Sequence, residues 1–195
     1  MPQREPSTPR VRLFAALDLP APISAGLAAW GARELADPAL RPVAPEALHL
    51  TLCFLGHVVA DRADDAAASV LGLRPRPVAM RLRAEPVARP PRRPRLFALE
   101  VDSPAAVELH DELAAALTAT DLYEPPKRPF WPHLTVARVR QRGRRPRRVA
   151  KRPAALPDAL VHTFASVRVA LYRSNLRPEG AQYTSLANLN LPPAA

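Results

Sequence analysis

Two short elements of the chain carry residues that could do chemistry together: His49-Leu50-Thr51 and His133-Leu134-Thr135, 84 residues apart. In an extended strand, residues two apart share a face, so each histidine emerges beside its threonine while Leu50 and Leu134 point the other way. Imidazole titrates near neutrality. One neutral ring can therefore take a proton from an attacking oxygen while a protonated partner delivers one to a departing oxygen. Each such role is worth roughly 10²–10⁴-fold in rate. Threonine hydroxyls can donate to non-bridging phosphate oxygens as charge redistributes. The set suits phosphoryl chemistry done by side chains. No Cys/His cluster or H-E-x-x-H spacing accompanies the histidines, so neither a metal nor another cofactor is expected. Five histidines and seven threonines in 195 residues would give about 0.2 such motifs by chance. His57, His110 and His162 read as turn, helix-surface and loop residues.

The surrounding elements must position these residues, and they come in two similar series. Val11 to Leu17 is a short apolar run stopped by prolines, which predicts a buried strand. Ile23, Leu27, Trp30 and Leu35 then recur at helical spacing, and a strand His49 to Leu55 follows, closed by Gly56. The order restarts at Arg95-Leu96-Phe97-Ala98, which repeats Arg12-Leu13-Phe14-Ala15 letter for letter. Ser103 and Pro104 open a helix carrying Leu109, Leu113 and Leu117 on one face. The strand His133 to Val139 completes the second series. This internal duplication, about 11–56 and 94–139, predicts an α+β fold of two pseudo-symmetric lobes. Each lobe is an antiparallel sheet with outer helices, with an active-site groove between them. Four to eight strands are expected, within one bilobal domain over 11–191 and behind a disordered tail over 1–10.

Composition narrows the class. Twenty-eight Lys+Arg against 18 Asp+Glu give a formal charge of +10, and all but Lys127 and Lys151 of the basic residues are arginine. Arginine, proline and alanine rise together in GC-rich coding sequence, yet the field is real whatever its origin and favours polyanions. One cysteine excludes an internal disulfide framework. No apolar run is long enough for a bilayer span and no secretory leader is visible, so a cytoplasmic protein without membrane association is expected, working as a monomer. Cys53 shares strand parity with His49 and Thr51 and reads as a buried filler, since nothing around it activates a thiolate. Six glycines cannot write a Walker or Rossmann phosphate loop.

Several stretches carry a family resemblance. They are R-L-F-A-A-L-D-L-P (Arg12 to Pro20), L-H-L-T-L-C-F-L-G (Leu48 to Gly56), R-P-F-W-P-H-L-T-V-A-R (Arg128 to Arg138), and L-Y-R-S (Leu171 to Ser174) followed by Tyr183-Thr184-Ser185-Leu186. In this order the chain resembles the 2H phosphoesterase superfamily, specifically the RNA 2',3'-cyclic phosphodiesterases, also called 2'–5' RNA ligases. The resemblance implies a bilobal fold and metal-independent opening of a 2',3'-cyclic phosphate at an RNA 3' end to a 2'-phosphate, with some members also joining such ends to 5'-hydroxyl ends in a reversible 2'–5' ligation. It implies His49 as proton donor and His133 as proton acceptor. Thr51, Thr135, Arg138 and Tyr183 are the implied substrate contacts, and RNA with 2',3'-cyclic phosphate ends the partner.

Strand geometry alone does not say which histidine does which. Arg138 lies three residues past Thr135, on the wrong parity for a regular strand, so a bulge or a strand end would be needed to turn it toward the site. Trp131 and Phe14 could stack on a base, although Phe14 inside an apolar strand reads as core. Two other functions fit the same motifs: a 2H phosphoesterase for a small nucleotide, and an RNA-binding module with incidental catalysis.

Overall fold

Prolines and apolar periodicity set the elements much as expected. A computed structural model describes residues 8–143, 145–177 and 180–193. β1 (Arg10–Asp18) leads through the extended Pro20 into α1 (Ala21–Glu34), which buries Ile23, Leu27 and Trp30 on one face. β2 (Leu40–Pro42) and β3 (His49–Val59) precede α2 (Ala63–Leu71), whose first turn carries Asp64 and Asp65. These carboxylates suit the positive end of the helix dipole. β4 (Ala79–Leu82), β5 (Val87–Arg89) and β6 (Leu96–Asp102) follow, then α3 (Pro104–Ala119). The Ser103 hydroxyl accepts from the Ala106 amide at 3.1 Å and donates to the Ala79 carbonyl at 2.6 Å, capping α3 and tying its start to β4. β7 (His133–Val139), β8 (Gln141–Arg142), β9 (Arg145–Pro146), β10 (Thr163–Ala165), β11 (Arg168–Arg177) and β12 (Gly180–Asn190) complete the chain.

Ten strands form one antiparallel sheet, in the order β10-β4-β6-β7-β3-β1-β11-β12, with β2 added to β7 and β5 to β6. The strand count exceeds the expected range because three-residue strands such as β2 and β5 leave too little periodicity to read. The fold is α+β, and its two lobes are halves of this sheet. β1-α1-β3 belongs to one half and β6-α3-β7 to the other. A single residue pair among the described residues, Leu50 opposite Leu134, joins them at β3 and β7. Both leucines are fully buried, and all three helices contribute to one continuous apolar core with them. Residues 1–7 of the expected tail lie outside the described residues, and Arg10 already belongs to β1.

Bulges decide which side chains reach the open face. Along β3 the register jumps from Thr51, opposite Ala16, to Cys53, opposite Ala15, so Leu52 is an extra residue. Beyond it the parity inverts. Cys53 therefore faces the core, opposite to His49 and Thr51, which corrects the simple alternation expected of it; Phe54 takes the open face and is 48% exposed. β7 repeats the device: Thr135 opposes Ala98 and Ala137 opposes Phe97, leaving Val136 extra. A further jump in β3 leaves Leu55 unpaired just before Gly56, whose φ of +71° suits glycine. Gly56 thus bends the strand where it was expected to end it.

The pairing also re-registers the duplication. Ala16 and Ala98 stand opposite the two threonines, so the structurally equivalent residues of β1 and β6 lie 82 apart. The four-letter match is spaced 83 apart and is one residue out of step. In a strand one step reverses the face: Phe97 packs into the core, while Phe14 lies opposite Phe54 on the other side.

Burial pushes the Cys53 thiol up to about 12. Native protein at about pH 8 should therefore give no reaction with a disulfide thiol reagent over minutes, and stoichiometric reaction in denaturant. Fast native labelling would place Cys53 on the open face instead.

Candidate active site

Each catalytic-type histidine opens its strand, and the same local geometry orients both. His49 Nδ1–H donates to the Ala47 carbonyl at 2.8 Å, and His133 Nδ1–H donates to the Trp131 carbonyl at 2.7 Å. These bonds assign the proton to Nδ1 and leave each Nε2 lone pair for other partners. The Thr51 hydroxyl donates to His49 Nε2 at 3.1 Å. Because Leu50 and Leu134 pair and point into the core, His49, Thr51, His133 and Thr135 all emerge on the opposite sheet face, around that junction. The two strands are neighbours in one sheet, which is how the histidines come to share a surface.

Aromatic rings pack on the imidazoles, and a carboxylate stands across the strand pair from each. Phe14 stacks on His49 at 4.8 Å between ring centroids, and Tyr183 meets His49 edge-on at 5.3 Å. Trp131 stacks on His133 at 3.9 Å. Phe14 is thus a buried side chain of the site's wall, where it was expected in the core. Asp18 stands opposite His49 in register, and Glu100 opposite His133. Asp18 is bound by Arg168 and by the Tyr172 hydroxyl, which donates to it at 2.8 Å. Glu100 accepts from Trp131 Nε1–H at 3.0 Å and faces Arg89 at 3.5 Å. The Arg89 guanidinium also lies 4.8 Å from the centroid of the Trp131 ring.

Burial lowers the His49 pKa from 6.5 to about 4, and the positive charges of Arg138 and His133 add to the shift. The Ala47 carbonyl and Asp18 oppose it. His133 is also lowered, chiefly by burial and then by Arg138 and Arg89, against the pull of the Trp131 carbonyl and Glu100. Without a ligand both rings are therefore neutral at about pH 7. The site is positive through its arginines, and an entering anion would favour protonation.

A cavity of about 490 Å³ opens beside His49, and Thr51, Arg138 and Tyr183 share its wall with Phe14 and Phe54. The Val136 bulge turns Arg138 to this face, resolving the parity conflict, and Phe54 occupies the equivalent place in the first repeat, 84 residues earlier. His133 and Thr135 lie across the strand junction, outside the cavity's lining. Arg12 and Arg41 line the cavity without having been singled out from sequence. Asp18 and Glu100 were also missed. Their signal was present only as acids on the two first strands of the repeat, unreadable without the cross-strand register. Among the described residues no group of three or more His, Cys, Asp or Glu side chains could hold a metal ion.

A duplicated strand–helix–strand sheet with two equivalent His-x-Thr strands around its centre defines a 2H phosphoesterase. The 2'-5' RNA ligase superfamily model matches residues 19–175, and the chain belongs to that family. It is 30% identical over 177 residues to the RNA 2',3'-cyclic phosphodiesterase of Escherichia coli K12, covering 90% of this chain and 93% of the relative. The crystal structure of TT0787 from Thermus thermophilus superposes with a TM-score of 0.76 at 28% identity, covering 92% of this chain and 97% of that one. E. coli LigT complexed with 3'-AMP gives a TM-score of 0.72 at 28% identity, covering 94% and 99%.

The histidine burial has a stability consequence. Folded His49 stays neutral down to about pH 4 whereas the unfolded residue protonates near 6.5, so between these values the unfolded state binds more protons. Stability is then full above about pH 6.5 and is lost as pH falls toward about 4. Urea unfolding at about pH 7 and about pH 4.5 should show wild type losing on the order of 1–2 kcal/mol more than His49→Gln. Equal losses would mean that His49 is not held neutral by the fold.

Proposed function

We propose that this protein is an RNA 2',3'-cyclic phosphodiesterase that opens a 3'-terminal cyclic phosphate to a 2'-phosphomonoester. The observation that carries this reading is the pair of histidines presenting Nε2 on one sheet face, each with a threonine two residues on. It is supported by family membership and by the named activity of the E. coli relative.

In this mechanism a water oxygen attacks phosphorus and gives its proton to His133 Nε2. The bond from phosphorus to the 3' oxygen breaks, and that oxygen takes a proton from His49 Nε2 as it leaves. Thr51 and Thr135 donate to the non-bridging oxygens, Arg138 supplies positive charge to the phosphoryl group, and Tyr183 lines the pocket beside the ribose end. The assignment of donor and acceptor follows the family resemblance, since the two imidazoles are held alike. A 5'-hydroxyl in place of water forms a 2'–5' linkage by the same displacement, with His133 taking its proton and His49 protonating the 3' oxygen; in the reverse cleavage of that linkage the histidines exchange roles. Free His49 is neutral at about pH 7, so catalysis requires the bound phosphodiester anion to favour its protonated form.

Hydrolysis of an oligoribonucleotide ending in a 2',3'-cyclic phosphate tests the reading. We expect a 2'-phosphate product, unchanged rates in EDTA, and losses of roughly 10²–10⁴-fold in His49→Ala and in His133→Ala. A 3'-phosphate product would reject the specific reaction, and full activity in either variant would reject the mechanism.

The pH dependence follows from the same groups. With both free-enzyme histidines titrating below 6.5, kcat/KM should fall about tenfold per pH unit between about pH 6.5 and 8.5, as the protonated donor is depleted. A profile that rises through this range would exclude an imidazolium donor.

A further inference from the structure

The catalytic cavity is one end of a longer arginine-lined path. Arg41 and Arg138 line it and also line a neighbouring cavity of about 510 Å³, where Arg95 and Arg147 join them. Arg147 continues into a cavity of about 520 Å³ shared with Arg145 and Arg93, and Arg95 lines a further one with the same two residues. Among the described residues no carboxylate lines any of the four. None of these six arginines makes an ion pair among the described residues. The nearby Asp37 carboxyl accepts from the backbone amides of Ala39 and Ala150, each at 2.7 Å, and these bonds, with a smaller pull from Arg147, hold it below the usual carboxylate range.

The path has a fixed backbone. The Val139 amide donates to the Arg95 carbonyl at 2.8 Å, Arg147 to Arg140 at 2.8 Å, and Arg140 to Ala39 at 2.7 Å. These bonds hold the β5–β6 connection and the segment after β7 against the end of the catalytic strand. Like charges brought together this way repel one another. A polyanion relieves that repulsion at several points at once, and the repeating phosphates of a nucleic-acid strand match guanidinium geometry.

We propose that these arginines bind the phosphodiester backbone of the RNA strand whose 3' end enters the catalytic cavity. The protein is then selective for a cyclic phosphate carried on an oligonucleotide over the same group on a mononucleotide. The inference rests on the cyclic-phosphodiesterase reading and adds a second binding region, outside the histidine site.

The test compares wild type with Arg95→Gln/Arg145→Gln/Arg147→Gln on a single-stranded oligoribonucleotide 2',3'-cyclic phosphate and on a mononucleoside 2',3'-cyclic phosphate. The variant should raise KM for the oligonucleotide at least about tenfold, leave its kcat unchanged, and leave both constants for the mononucleoside unchanged. Each single-strand phosphate contact contributes about 0.7 to the logarithmic salt slope, so oligonucleotide affinity should lose a slope of about 2 in the variant. Wild-type constants on both substrates, or an equal loss on both, would overturn the proposal. If wild type turned over neither substrate, the proposed function would fail. Fluorescence anisotropy with a labelled oligoribonucleotide would still decide the arginine path by the same change in slope. Polyglutamate binding as tight as RNA binding would also overturn it, in favour of an acidic protein partner.

Discussion

The pairing of Leu50 with Leu134 is the contact on which the arrangement of the molecule depends. Among the described residues it is the one pair by which β3 and β7 meet, and there the four strands on the β3 side join the six on the β7 side in one sheet. Both leucines are drawn into the core by the hydrophobic effect, and a strand's period of two then forces their neighbours to the other face. His49 and Thr51 flank one leucine, His133 and Thr135 the other. The chemistry-bearing groups are thus brought together by the burial of residues that take no part in the chemistry.

Three consequences of that sheet shape the electrostatics. The cross-strand register puts an acid opposite each histidine, and each acid is itself held by an arginine and an aromatic hydroxyl or indole donor. The stacked rings exclude water from the imidazoles, which lowers both pKa values. The bulges then add Arg138 on one side and Phe54 on the other. The two halves of the site are therefore equivalent in backbone and unequal in charge. His49 sits in an aromatic recess beside the open cavity, and His133 under Trp131 and Arg89.

The basic charge acquires a location from the same topology. Arg138 belongs to β7, and the segments around Arg95 and Arg147 are hydrogen-bonded to that strand's far end and to the residue just beyond it. Composition shows the arginine excess only as a general property of the chain. The backbone gathers one part of it along adjoining cavities, lined by no carboxylate among the described residues, that begin at the cavity beside His49. Charge placed this way acts at several points along an extended anion, which a uniformly basic surface does not do.

The amino-acid sequence by itself determined the fold class, the order of strand, helix and strand in each repeat, and the two His-x-Thr pairs, because all of these rest on local periodicity and on residue types at short spacing. It also showed that Arg138 needed a bulge or a strand end to face the site, and the register supplied the bulge. The tertiary structure decided whatever depends on register. Cys53 crossed to the core and Phe14 to the site because one unpaired residue, Leu52, and one step between matched tetrapeptides reverse the face of a strand. Asp18 and Glu100 became neighbours of the histidines only when β1 and β6 were aligned against β3 and β7. A chain encodes its alternation residue by residue, whereas register is a property of two strands together, fixed by the side chains that both must bury.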